Sequence, residues 1–185
     1  MLLISKFDTT DIDAKIAEFE SKYGITLPER YRQFMLKYNG GMTPETKFKA
    51  GKESSDIRAF YGFGDVGYSF SEIVDMEEWI KSNIIPIASD SFGNRIVIGL
   101  DKEKEGKIFF SDHEKEFKLT LLSDTLEEFF TICKSKKIRP VRTMEERERD
   151  LIANGYGDML DDGLRKCWQE EIDLYGGIHQ EKVSL

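Results

Sequence analysis

The side chains able to bind a metal or move a proton are few in this chain and poorly spaced for either task. It has 185 residues and 2 histidines. His113 stands in Asp112-His113-Glu114, the one run with metal-ligand residue types. Three consecutive side chains point apart, and no second His or Cys is near, so the run reads as a solvated turn. Spacing alone leaves a Ser-His-Asp or Cys-His arrangement open, but the histidines available to it are His113 in that turn and His179 in the tail. The carboxylate pairs Asp161-Asp162 and Glu170-Glu171 fall on helical patterns, where neighbours diverge by about 100° and do not converge on one substrate atom. Gly62-Phe63-Gly64-Asp65-Val66-Gly67 has neither the G-x-G-x-x-G spacing nor a following Gly-Lys-Ser/Thr, so it reads as a flexible loop and not a phosphate cradle. Cys133 and Cys167 each sit in an amphipathic pattern and read as small buried hydrophobes in a reducing cytoplasm. No catalytic group, metal or cofactor is expected, and the chain reads as a binding protein.

The bulk numbers agree. A net charge of −8 argues against direct nucleic-acid binding, which needs clustered Lys and Arg to neutralise phosphates. The cluster Lys134, Lys136, Lys137 and Arg139 is too small to reverse that and instead reads as cations at a helix C-terminus. With 39% hydrophobic and 34% charged residues, the composition is that of a globular protein with a thick solvated surface. The opening MLLISKFDTTD meets acids too early for a signal peptide, and no apolar run is long enough to span a bilayer.

The elements follow from periodicity. Ile12, Ile16, Phe19 and Tyr23 recur at helical spacing after Thr9 or Thr10 and stop at Gly24. Thr26-Leu27-Pro28-Glu29 predicts a capping box and a second helix with the stripe Tyr31, Phe34, Met35 and Tyr38, closed by Asn39-Gly40-Gly41. Residues 42–55 are polar and predict a mobile loop. A strand is expected at Ile57–Tyr61, then a third helix carrying Ile73, Val74, Trp79 and Ile80 after Ser69-Phe70-Ser71-Glu72. Ile84 to Ala88 reads as a strand, with Pro86 marking an edge or a strand start. The turn Asp90–Asn94, where Gly93 and Asn94 favour positive φ, leads to a hairpin of Arg95–Leu100 and Ile108–Phe110. Phe117, Leu119 and Leu121 alternate as a closing strand, and Leu126, Phe129, Phe130 and Cys133 form a last core helix. Beyond Pro140, helices from Thr143 to Gly155 and from Asp158 to Gly176-Gly177 predict an added hairpin, too poor in apolar residues for a core of its own, with a frayed tail from Ile178.

Two parts of this pattern resemble the SUKH superfamily of Smi/Knr-type domains. The first half supplies Glu18, Gly24, Leu27, Pro28, Tyr31, Phe34, Asn39, Gly40 and Gly41 in the family's order. The second supplies PIASDSFGN with Gly93 and Asn94, the hairpin, IFFSDHE and TLEEFFTIC, so the resemblance runs over about residues 12–133. It departs in lacking the tryptophan that many members carry ahead of the first helix. The resemblance implies an α+β fold, a mainly antiparallel sheet of about four to six strands with helices packed on it, for residues 1–139. The helical extension, 140–185, should then pack on that core. It also implies a function. Bacterial members are commonly immunity proteins that sequester a cognate toxin, often a nuclease and hence basic, whereas fungal members regulate cell-wall synthesis. A regulatory module and a small-ligand-binding domain are the alternatives. An acidic inhibitor would be steered toward a basic toxin. The expected contacts are Asp65, Tyr68, Asp90, Phe92, Asp112 and Glu114, because they flank turns at strand ends.

Overall fold

Alternating apolar and polar side chains build one antiparallel sheet through most of the chain. The structure is a computed structural model and describes residues 1–115 and 118–185. In chain order the elements are β1 (Leu3–Lys6), α1 (Ile12–Tyr23), α2 (Glu29–Tyr38), β2 (Gly41–Ala50), β3 (Glu53–Phe60), α3 (Met76–Lys81), β4 (Ile84–Ser89) and β5 (Arg95–Gly99). There follow β6 (Ile108–Asp112), β7 (Lys118–Ser123), α4 (Leu126–Ile132), β8 (Cys133–Ser135), α5 (Met144–Ala153), α6 (Asp162–Tyr175) and β9 (Glu181–Lys182). The strands run β7-β6-β5-β4-β3-β2-β1-β9, with β8 also paired to β2. The chain forms two compact units, Met1–Lys136 with Gln180–Leu185, and Lys137–His179.

The fold is thus α+β and antiparallel, but its sheet has 9 strands and not four to six. The largest departure is the polar stretch at 42–55, which pairs as β2 and β3 from Gly41↔Phe60 to Ala50↔Glu53. Its alternation is real: Thr46 and Phe48 point inward while Lys47 and Lys49 face water. Thr46 fills an inward position because its hydroxyl meets the Ser135 hydroxyl at 2.6 Å. The segment expected to fray also pairs, Leu3↔Lys182 and Ile4↔Glu181, and buries Val183. Pro86 lies inside β4, yet β3 pairs with β4 only at Ser89 and Ala88, so its missing N–H meets no second ladder.

Helices α1, α2 and α4 cover the sheet with the predicted stripes, except that Cys133, expected on the last core helix, lies past its end and begins β8. Ile12, Ile16, Phe19, Tyr31, Phe34, Met35, Tyr38, Phe129 and Phe130 are all buried. Phe34 packs on Phe60 and Phe130 with centroids 5.2 and 5.4 Å apart, locking α2, β3 and α4 into one aromatic cluster. Several predicted helix starts differ. Asp11 in left-handed backbone, and not Thr9 or Thr10, precedes α1, and Pro28 precedes α2 without any side-chain cap. The third helix is broken: residues 70–72 form a 3-10 turn, Asp75 turns left-handed, and Val74 is exposed. Phe117 lies outside the described residues.

Leu27, Pro28, Asn39, Gly40 and Gly41 have a shared physical use. Leu27 is buried, and its N–H donates to Glu20 Oε1 at 2.8 Å, so Glu20 and not Glu18 ties the turn between the helices. Asn39 ends α2 in left-handed backbone and is fully buried. Its amide Nδ2 donates to the carbonyls of Asp8 (2.6 Å) and Phe63 (3.0 Å), while its Oδ1 accepts from the Phe63 N–H (2.8 Å). Gly40 has φ 71° and lies against the Tyr61 carbonyl, so a side chain there would be strained and would clash.

In the Lys137–His179 unit, Arg147 is the one buried residue among those described. Its guanidinium donates to Glu171 Oε2 (2.8 Å) and to the Arg142 carbonyl (3.0 Å), and it sits 5.9 Å from the Trp168 ring. That hydrogen bond from Arg147 holds the Glu171 carboxyl below its ordinary range. Thr143 and Glu146 form a full capping box at α5, whereas α6 begins at Asp162, capped by Asp161, because residues 157–159 form a 3-10 turn.

Asn39→Ala removes three hydrogen bonds, two of them to the buried backbone of Phe63, and should lower unfolding stability by about 2–4 kcal/mol in urea titrations. Among the described residues, Tyr31 carries the one buried side-chain polar atom without a partner, so Tyr31→Phe should be neutral or stabilise by up to about 1 kcal/mol. Cys133 is buried and Cys167, against expectation, is exposed. Burial pushes the Cys133 thiol from 9.0 up to about 12. The folded chain therefore keeps a proton that the unfolded chain releases, and stability should fall as pH rises from 9.0 toward about 12. A thiol reagent at pH 8 should count one reactive cysteine in the native protein and both in denaturant.

Candidate functional site

The turn from Asp90 to Asn94 is tied down at nearly every residue. Asp90 is 3% exposed, and its carboxylate accepts four hydrogen bonds. Oδ1 takes the N–H groups of Phe92 (2.9 Å) and Asn94 (2.8 Å). Oδ2 takes the Ser55 hydroxyl of β3 (2.7 Å) and the Asn94 amide (2.7 Å). From the same strand, Asp56 accepts the Ser91 N–H at 3.0 Å and also the Ser91 hydroxyl. Because the Asn94 amide nitrogen faces Asp90, its oxygen faces His113. There it meets the His113 backbone N–H (3.1 Å) and ring Nδ1 (2.8 Å). Nδ1 is therefore the donor in that contact.

The result is a rigid turn with an aromatic ring held out into water. Phe92 is 70% exposed. Beside it lies a cleft of about 470 Å³ lined by Arg58, Tyr61, Tyr68, Glu72, Ser89 and Arg95 together with the turn itself. Its far wall is the 62–70 loop, closed by backbone bonds from Gly62 N–H to Tyr68 O (2.8 Å) and from Phe70 N–H to Gly62 O (2.9 Å). Burial pushes the Tyr61 phenol up, opposed by Arg95 and a hydrogen bond with Ser89. Arg95 reaches back over the turn to the carbonyls of Gly93 (3.0 Å) and Asn94 (3.3 Å).

Of the six residues expected to make contacts, Tyr68, Asp90 and Phe92 meet at this cleft. Asp90, however, is consumed by the turn and presents no free acceptor outward. Asp112 and Glu114 flank His113 next door. Asp112 is bound by the Lys115 ammonium at 2.6 Å, which holds its carboxyl below the ordinary range, while Glu114 faces water. Asp65 is exposed on the 62–70 loop, outside the lining. Gly93 has φ 93°, as a turn glycine should, and Asn94 acts through its side chain instead. Arg58, Tyr61 and Arg95 were missed. Arg58 alternates outward on β3, a signal present in the pattern Ile57-Arg58-Ala59, but nothing local marks it as functional. Among the described residues no group of His, Cys, Asp and Glu is arranged to hold a metal ion.

The comparison with known families now bears on this geometry. The model of the SMI1 / KNR4 family (SUKH-1) matches residues 13–132. The chain belongs to that family. The match takes in Asn39-Gly40-Gly41, the Asp90–Asn94 turn and every residue named in the cleft, and it ends before α5. A similar protein is the SPbeta prophage-derived uncharacterized protein YokK of Bacillus subtilis (strain 168), 28% identical over 149 residues, covering 67% of this chain and 75% of that one. No solved structure matches the chain. Among the described residues no helix is long and apolar enough to cross a membrane.

The turn and its aromatic tip separate cleanly by mutation. Asp90→Ala should cost about 2–4 kcal/mol, since it strands four donors, whereas Phe92→Ala should stay within about 0.5 kcal/mol of wild type. Thermal or urea unfolding of the two variants measures the difference.

Proposed function

We propose that this SUKH-1 domain works by binding another protein, and that it is an immunity protein that occupies and neutralises a cognate toxin. The observation that carries the reading is Phe92: a large aromatic side chain, 70% exposed, on a turn with no freedom left to lose. Rigid aromatic anchors flanked by Arg and Tyr are what the energetic centres of protein interfaces are made of. Such an anchor binds with little ordering entropy still to be lost. Family membership and a relative described as prophage-derived favour toxin immunity over other kinds of binding.

Electrostatics support a basic partner. Between Gly64 and Ile80 the chain carries Asp65, Glu72, Asp75, Glu77 and Glu78, all exposed, and no Lys or Arg. This segment borders the cleft and would accelerate encounter with a positive surface such as that of a nuclease. Inhibition would then come from occlusion, with the domain covering the toxin's working face and no bond made or broken.

The test is co-expression with the toxin encoded beside this gene. Wild-type protein should protect the cell and elute with the toxin on size exclusion. Phe92→Glu should fold normally and weaken the complex by about 30-fold or more. Lethality with the wild type and no co-eluting complex would refute the reading.

A further inference from the structure

The cleft beside Phe92 treats its arginines differently from the rest of its unit. Met1–Lys136 contains Arg30, Arg32, Arg58 and Arg95. Arg30 pairs with Glu127 at 2.8 Å and Arg32 with Asp13 at 2.7 Å. Neither Arg58 nor Arg95 has a carboxylate within ion-pairing distance among the described residues, and both line this cleft. Arg95 uses Nη1 on turn carbonyls, which leaves Nε and Nη2 uncommitted. Arg58 is exposed and makes no hydrogen bond among the described residues. In a chain with 35 acidic residues against 27 basic ones, carboxylates are plentiful. Two guanidinium groups left without one in the same cleft form a waiting acceptor site.

We propose that this cleft receives a carboxylate from the docked protein, an Asp or Glu side chain seated against Arg58 and Arg95 while Phe92 is buried next to it. The inference rests on the reading of the cleft as a docking surface. Glu72 and Asp90 line the same space, so two positive charges face two negative ones. Guanidinium groups bind carboxylates through paired N–H donors, and the Tyr68 hydroxyl in the lining supplies a further donor. The cleft is open and its lip is an exposed aromatic ring. A free small acid would remain largely uncovered, whereas a protein surface covers the acid and Phe92 together. The matching surface on the partner then has a basic field with one acidic residue at its centre. That arrangement rejects basic proteins lacking the acid, because Arg58 and Arg95 would be desolvated without a counter-charge.

The experiment is an NMR titration of the full chain with three probes: N-acetyl-aspartate N-methylamide, its asparagine counterpart, and free succinate. The aspartate probe should give saturable shifts in the amides of Ser91–Asn94 and in the Nε–H signals of Arg58 and Arg95. Binding should weaken by about fivefold or more for asparagine and for the variant Arg58→Gln, whose other signals stay in place. Equal response to aspartate and asparagine, or shifts located elsewhere, would overturn the inference. Succinate binding about tenfold tighter than the aspartate probe would also overturn it, by assigning the cleft to a small diacid. The two readings fail separately. No aspartate binding, with Phe92→Glu still abolishing protection, removes the carboxylate and leaves the docking surface. Aspartate binding, with Phe92→Glu still protective, removes the docking surface.

Discussion

The side chain of Asp90, buried and met by four donors, is the interaction on which the Phe92 turn depends. It gathers the Phe92 and Asn94 N–H groups, the Ser55 hydroxyl and the Asn94 amide around one carboxylate. A carboxylate in such a place is tolerable only when its lone pairs are filled, and once filled it forbids other arrangements. The chain of contacts runs on through Asn94 to His113, so β3, the β4–β5 turn and the end of β6 are joined by side chains as well as by the ladder. Phe92 inherits that rigidity while remaining in water.

The same device recurs at the other motif. At the end of α2 the Asn39 side chain makes three bonds to Asp8 and Phe63 and so fixes where the 62–70 loop departs from the sheet. That loop is the far wall of the cleft. Glycine at 40 permits the approach, and the aromatic cluster of Phe34, Phe60 and Phe130 beneath it supplies the apolar driving force. Two buried polar side chains, far apart in sequence, thus set the two walls of one site. The Lys137–His179 unit is built on a different principle. Its buried centre is a guanidinium and not an apolar cluster, and Ile152 on α5, Leu174 on α6, and Tyr156 and Met159 in the connection between them are exposed.

What could be read in advance follows from how local each signal is. The stripes of α1 and α2 and the β5–β6 hairpin depend on nearby residues and were recovered. β2 was not, because Thr46 counts as polar until its partner Ser135, far along the chain, is known. β1, β8 and β9 are short and paired at long range, and no local period marks them. The third helix looked continuous because nothing in its pattern announces the left-handed turn at Asp75. At the site, the turn and its exposed aromatic were visible from Gly93 and Asn94. The role of Asp90 as the turn's organiser, and the identity of the arginines left without carboxylates, are properties of the folded surface alone.

These pieces support one proposal: the Phe92 turn with its neighbouring loop is the surface that binds a partner. Hydrogen exchange on the protein with and without the proposed protein partner tests this most directly. The amides of residues 62–72 and 90–95 should gain protection in the complex, with the β1–β9 end of the sheet unchanged. Protection confined to residues 137–179 or to the β7 edge, with the Phe92 turn exchanging as in the free protein, would contradict the account.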